Sequence, residues 1–150
     1  MRARLPLLLV LFLFCGLAGA VAEDFDPIPL IGLDIPGAVG ALGLPERMFS
    51  YRGLDESQDN VVFYYPDYRY LFWYKDRVWQ VRCDRRFTGR VFGLGLGMSR
   101  DEVEKATQRQ LVPNGDSLYF DLDGGKYPVR VRLVFAADVL TDLYVYRSDF

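Results

Sequence analysis

The chain has no histidine among its 150 residues and only two cysteines. Without an imidazole it lacks the commonest general base, His-based triads and most zinc sites. Cys15 lies in an N-terminal apolar run, which leaves Cys83 by itself in the rest of the sequence. No internal disulfide is therefore expected there, and an exported fold must rest on its core. Charge of one sign is also scarce: 18 Lys+Arg face 20 Asp+Glu, for a formal net charge of −2. That removes the global electrostatic case for nucleic acid, whose binding depends on phosphate neutralisation. Beyond residue 22 no apolar run approaches the roughly 20 residues that span a bilayer.

What is present begins with a leader-like segment. Arg2 and Arg4 precede an apolar run from Leu5 to Phe14, and Ala20-Val21-Ala22 is followed by the acidic pair Glu23-Asp24. Residues 1–22 thus have the layout of a secretory signal peptide. The expectation is an exported protein, periplasmic or associated with the cell envelope. Retention of the segment as an N-terminal membrane anchor is the alternative. Lipidation at Cys15 is a further one, although Phe14 is a poor residue to precede a lipidated cysteine. Removal of 1–22 takes two arginines and no acid, so the remainder is more acidic than the whole.

The remainder suits one compact domain or two small packed units. Its second half is the easier to read. Ser99 and Glu102 form an S-x-x-E capping box, and Met98 with Val103 has the spacing of a hydrophobic staple. A helix is predicted from there to about Gln110. Pro113-Asn114-Gly115 follows as a turn cluster. Strands are predicted at Leu118–Leu122, Tyr127–Phe135 and Val139–Tyr146, with Asp123-Gly124-Gly125 as a hairpin turn. In the first half Asp34-Ile35-Pro36 opens a short, glycine-rich helix that packing must hold. Strands follow at Val61–Tyr65, Tyr68–Lys75 and Val78–Cys83. Val39 aligns with Val103, Phe72 with Leu133 and Val81 with Leu143, which suggests a tandem repeat. The predicted fold is α+β: two helix-strand-strand-strand repeats forming an antiparallel sheet with helices on one face. Residues 23–83 make the first repeat, 84–96 a connector and 97–150 the second repeat.

Residues 68–82, YRYLFWYKDRVWQVR, are dense in rings and basic groups. Alternation places Tyr68, Tyr70, Phe72 and Tyr74 on one face of a strand. A turn at Asp76-Arg77 would pair Phe72 with Val81, making that face the core. The opposite face then carries Arg69, Leu71, Trp73, Lys75, Gln80 and Arg82, with Arg130, Arg132, Asp142, Tyr144 and Tyr146 as its counterpart. Such Arg- and aromatic-rich surfaces are typical of protein interfaces, although a solvated face is an equally ordinary origin. The candidate partner-binding residues are Arg69, Trp73, Gln80, Arg82, Arg130, Arg132, Tyr144 and Tyr146.

Other motifs are weaker. Arg82-Cys83-Asp84-Arg85-Arg86 is locally basic and could meet an anion or a lipid headgroup, or serve as a solvated connector. Cys83 points inward by alternation and reads as a small buried hydrophobe rather than a reactive thiol. Gly93-Leu94-Gly95-Leu96-Gly97 lacks the spacing and βαβ context of a dinucleotide loop. The acids Asp55, Glu56, Asp59, Asp121 and Asp123 fit no EF-hand. No catalytic residue, metal site or cofactor is predicted.

The second half resembles the small repeat of SmpA/OmlA-type outer-membrane assembly lipoproteins and of β-lactamase-inhibitor-like proteins. Gly97-Met98-Ser99-x-x-x-Val103 and the closing VLTDLYVY carry the resemblance, and IPGAVGALGLPERMF with YLFWYKDRVWQVR carries it in the first half. It implies an exported, non-enzymatic protein that binds an envelope or secreted protein, with peripheral membrane association left open. The expected function is docking through the solvent face of the sheet. A small-ligand or glycan-binding module and an inhibitor of a secreted hydrolase are the alternatives.

Overall fold

The computed structural model describes residues 22–52, 60–123 and 125–149. The leader-like segment up to residue 21 with Cys15, the loop acids Asp55, Glu56 and Asp59, and Gly124 lie outside the described residues. The elements run β1 (Asp24–Phe25), α1 (Ile35–Leu42), β2 (Arg47–Tyr51), β3 (Asn60–Tyr64), β4 (Arg69–Tyr74), β5 (Arg77–Asp84), β6 (Arg90–Val91), β7 (Leu94–Gly95), α2 (Arg100–Ala106), β8 (Val112–Asn114), β9 (Ser117–Leu122), β10 (Val129–Ala136) and β11 (Val139–Arg147). The architecture is α+β, dominated by one eight-stranded antiparallel sheet in the order β2-β3-β4-β5-β11-β10-β9-β8. Two four-stranded meanders meet at its centre, where β5 pairs with β11 through Val81–Val145 and Leu143–Cys83.

Both helices start where their sequences say they should. The Asp34 side chain accepts a hydrogen bond from the Gly37 amide, with Pro36 in the first turn. Ser99 and Glu102 close the capping box in both directions. The second helix stops at Ala106, short of the expected Gln110. The turn before each helix is tied to the sheet in the same way. Gly32 donates to the Val78 carbonyl and the Val78 amide donates to Leu33; Gly97 donates to the Leu140 carbonyl and the Leu140 amide donates to Met98. Gly32 and Gly97 both have positive φ, which glycine adopts without strain.

The core lies on the face of the sheet that carries Leu71, Trp73, Val78, Val81, Cys83, Val131, Leu133, Leu140, Leu143 and Val145, joined by Ala38 of α1 and Val103 of α2. Each such side chain, fully buried, contributes roughly 1.5–3 kcal/mol. The expected dry residues of the second half, Val129, Val131, Leu133, Phe135, Leu143 and Val145, are all buried.

The first half departs from expectation at one point with large consequences. Lys75 and Asp76 both have positive φ, and Tyr74 pairs with Arg77. The hairpin therefore turns one residue earlier than the expected Asp76-Arg77. That shift moves the pairing by two residues and by itself keeps the faces; the extra residue that a bulge inserts in β5 then sets Leu71, not Phe72, beside Val81 and exchanges the faces of β4. Leu71 and Trp73 are core; Tyr70, Phe72 and Tyr74 lie on the outer face with Gln80 and Arg82. The expected wet placement of Trp73 and the expected dry placement of Phe72 are both corrected. The same bulge pairs Phe72 with Gln80 and Trp73 with Val78, and turns Trp79 outward beside Gln80. The corresponding hairpin has Ala137 and Asp138 at positive φ and the same bulge, with Val134 pairing Asp142 and Phe135 pairing Leu140.

Three further segments escaped the reading. The edge strands β2 and β8 extend each meander from three strands to four. β2 is exposed throughout, so burial imposes no alternation on it. β8 contains Pro113, which an edge strand tolerates. Within the expected connector, β6 and β7 form a small sheet with β1, in which Phe25 pairs with Val91 in parallel.

The turn assignment is testable. Lys75→Asn with Asp76→Gly supplies the residues that a left-handed two-residue turn prefers. The double variant should gain roughly 1 kcal/mol, the scale of relieved positive-φ strain, read as a raised urea midpoint with unchanged slope. A lowered midpoint would contradict a turn at these two positions.

Candidate functional site

The outer face of the sheet forms a groove of about 660 Å³ that crosses both meanders, within the size range of ligand clefts. The first meander supplies Tyr51, Asn60, Phe72, Tyr74, Trp79, Gln80 and Arg82; the second supplies Tyr119, Arg132, Tyr144 and Tyr146. The outward parity of β4 and the bulge at Trp79 bring these rings together. Trp79 donates from its indole Nε1 to Asn60 Oδ1 at 2.6 Å and meets the Tyr146 ring edge-on at 6.4 Å. Phe72 packs edge-on with Tyr51 at 6.0 Å and is nearly buried although it faces outward.

The floor carries two arginines. Arg82 donates from Nε to Asp142 Oδ1 at 2.9 Å and makes a second, short contact from its terminal nitrogen to the same oxygen. Its guanidinium lies between Tyr70 at 5.1 Å and Tyr144 at 5.5 Å. Burial pushes the Arg82 pKa down, but the Asp142 hydrogen bond outweighs it and the net direction is up. Arg132 sits between Tyr119 at 5.9 Å and Tyr144 at 5.8 Å, and its Nε donates to Ser117 Oγ at 3.1 Å. Burial raises the pKa of both Tyr144 and Tyr146, so the groove hydroxyls stay protonated donors.

Beside the groove, Asp84 anchors the junction of the meanders. It is buried, and it accepts from Tyr70 Oη at 2.8 Å and from the Arg86 backbone at 2.9 Å. The Arg86 side chain reaches both of its oxygens. Burial alone would raise this carboxyl, but the bonds from Arg86 and Tyr70 prevail and hold it at about 2. Arg86 is thereby engaged, and the basic run reads as part of this junction. Cys83 is buried in the core, which pushes its thiol up to about 12.

Of the eight residues singled out from sequence, the structure brings Gln80, Arg82, Arg132, Tyr144 and Tyr146 together in the groove. Arg130 shares the outer face but lies outside the groove, doubly bonded to Asp121 at 2.7 and 3.1 Å. Trp73 and Arg69 belong to the other side. Trp73 packs on Phe63 in the core, and Arg69 pairs with Asp67 and covers the Phe25 ring at 4.6 Å. Tyr51, Asn60, Phe72, Tyr74, Trp79 and Tyr119 were missed. A signal for Phe72 and Tyr74 was available, because aligning Lys75-Asp76 with Ala137-Asp138 sets Leu71 against Leu133 and restores the parity of β4. Among the described residues no three carboxylate or thiol groups gather to hold a metal ion, and no helix is long and apolar enough to cross a membrane.

No known protein family matches the chain, and no curated protein matches it. Its fold is similar to part of a cysteine-rich secretory protein from Staphylococcus aureus, with a TM-score of 0.53 at 13% identity, covering 86% of this chain and 51% of that one. It is also similar to part of an extracellular SCP-domain protein from Bacillus anthracis, with a TM-score of 0.52 at 15% identity, covering 85% and 48%. The chain thus spans about half the length of each, and the likeness is one of fold.

Two predictions follow from this geometry. Acrylamide should quench the fluorescence of Trp79 and spare that of Trp73, so Trp79→Phe should abolish quenching and Trp73→Phe should leave it. The reverse pattern would restore the parity expected from sequence. Asp84 titrates near 2 when folded against an ordinary 3.8. Its stabilisation, about 2 kcal/mol, is therefore complete above about pH 4 and disappears as the pH falls through 2. Asp84→Asn should be less stable than wild type by that amount at pH 7 and nearly equal to it at pH 2 in urea titrations; a gap independent of pH would contradict the assignment.

Proposed function

We propose that the protein is an exported, non-enzymatic binding module that docks a segment of another envelope or secreted protein in the groove on the outer face of its sheet. The observation that carries this reading is the groove itself. It presents Phe72, Trp79, Tyr144 and Tyr146 with Arg82 and Arg132 in one concave surface. Tyr, Trp and Arg are the residues in which binding energy concentrates at protein interfaces. The rings are also held by neighbours before a partner arrives, which lowers the entropy that binding must overcome.

Export rests on residues 1–22, whose basic start, apolar run and A-x-A end are those of a signal peptide. In this reading the chain is two copies of one unit. The repeated turn, bulge and pre-helix tie support a duplication, and so does the resemblance of both halves to SmpA/OmlA-type and β-lactamase-inhibitor-like repeats. The groove is then the seam of that duplication.

The test is affinity capture from the envelope and secreted fractions of the producing cell, with wild type compared against Trp79→Ala/Tyr146→Ala. A bound protein identified with wild type should be retained at least tenfold less by the double variant, because interface hot spots cost about 2 kcal/mol or more. The circular dichroism of the variant should be unchanged. Equal retention would remove the outer face as the docking surface.

A further inference from the structure

Three arginines stand on the outer face between the seam and β9, and two of them are satisfied by carboxylates. Arg82 is held by Asp142, and Arg130 by Asp121. Arg132 differs. It donates from Nε to a neutral hydroxyl, Ser117 Oγ, and its guanidinium is flanked by Tyr119 and Tyr144. Among the described residues no acid pairs with it, and no acid lines the groove that it faces. Its two terminal nitrogens thus form an oriented fork of N–H donors in an aromatic surround, the geometry that binds a carboxylate in bidentate fashion. Ser117 is itself buried, so the Nε bond fixes the plane of the fork.

We infer that Arg132 is the anion receptor of the groove, and that the docked segment is an extended peptide carrying an aspartate or glutamate flanked by apolar or aromatic side chains. This rests on the reading of the outer face as a docking surface. The rest of the lining fixes the remaining chemistry. Trp79 and Tyr146 offer ring surface to apolar side chains, and Gln80 offers an amide group to a peptide backbone. The sheet from β2 to β9 is seven strands wide, about 29 Å at ~4.8 Å per strand gap, which an extended peptide covers with roughly nine residues at ~3.3 Å each. A polyanion is a poor fit: one open cation cannot neutralise a run of phosphates, and the chain as a whole is acidic.

The experiment pans a random decapeptide library against wild type and Arg132→Gln, followed by binding of one enriched peptide and its Asp→Asn or Glu→Gln analogue, read by Trp79 fluorescence. Wild type should enrich peptides with one acid beside aromatic or aliphatic residues. It should bind the acidic peptide about tenfold or more tightly than the neutral analogue. Arg132→Gln should bind both peptides with the neutral analogue's affinity, and Arg132→Lys should recover part of the preference. Equal binding of the two peptides by wild type would overturn the role of Arg132 and leave the docking reading intact. Equal loss of both in Arg132→Gln would reduce Arg132 to packing, with the same result. Tighter binding to vesicles containing anionic lipid than to any acidic peptide would overturn the peptide assignment. No enrichment over a protein-free control would remove the docking reading itself.

Discussion

The structure depends on one bulged hairpin. Lys75 and Asp76 take left-handed backbone angles, and the bulge at Trp79-Gln80 follows three residues later. Together they settle which side of the sheet every residue of β4 and β5 occupies. Without the bulge, Tyr70 and Phe72 would share a face with Val81 and Cys83, and Trp73 would turn to the outer side. With the bulge in place, the inner face closes on Ala38 and Val103, and the outer face acquires the rings of the groove. The hairpin at Ala137-Asp138 repeats the arrangement, so the same backbone device orients both halves of the site.

The seam between the halves carries a second constraint. Asp84 and Asp142 are directly opposite each other on β5 and β11, and like charges so placed repel. Arg86 and Tyr70 absorb one carboxylate, and Arg82 absorbs the other. The pairing that offsets this repulsion also spreads Arg82 across Tyr70 and Tyr144, which fixes the floor of the groove. Electrostatic repair of the junction and construction of the binding surface therefore use the same side chains. Arg132, one strand further on, is the cation that this repair leaves over.

Much of this was legible beforehand. The caps at Asp34 and Ser99 announce both helices, and the Val129–Phe135 alternation gives the inner face of β10 correctly. Arg82, Arg132, Tyr144 and Tyr146 were recognisable as outer-face residues by parity from those strands. The first hairpin misled because YRYLFWYK is apolar or aromatic on both faces, so hydrophobic pattern alone cannot choose its register. The turn and the bulge decide it; Lys75-Asp76 is not the Asn-Gly or Asp-Gly that advertises such a turn, and nothing in the pattern marks the extra residue at Trp79. The edge strands were hidden for a related reason. Arg47–Tyr51 is exposed on every residue, and Val112–Asn114 contains a proline, so neither bears the imprint of a buried face.

The central seam has a kinetic corollary. Within each meander, strands pair with sequence neighbours across short turns, so most contacts are local and can form early. The β5–β11 ladder is different, since Arg82 and Asp142 are 60 positions apart. Its loop-closure entropy must be met before its bonds return anything. Two quickly formed meanders waiting on one slow zipper is the assembly order this topology favours, and until that zipper closes neither half of the groove faces the other.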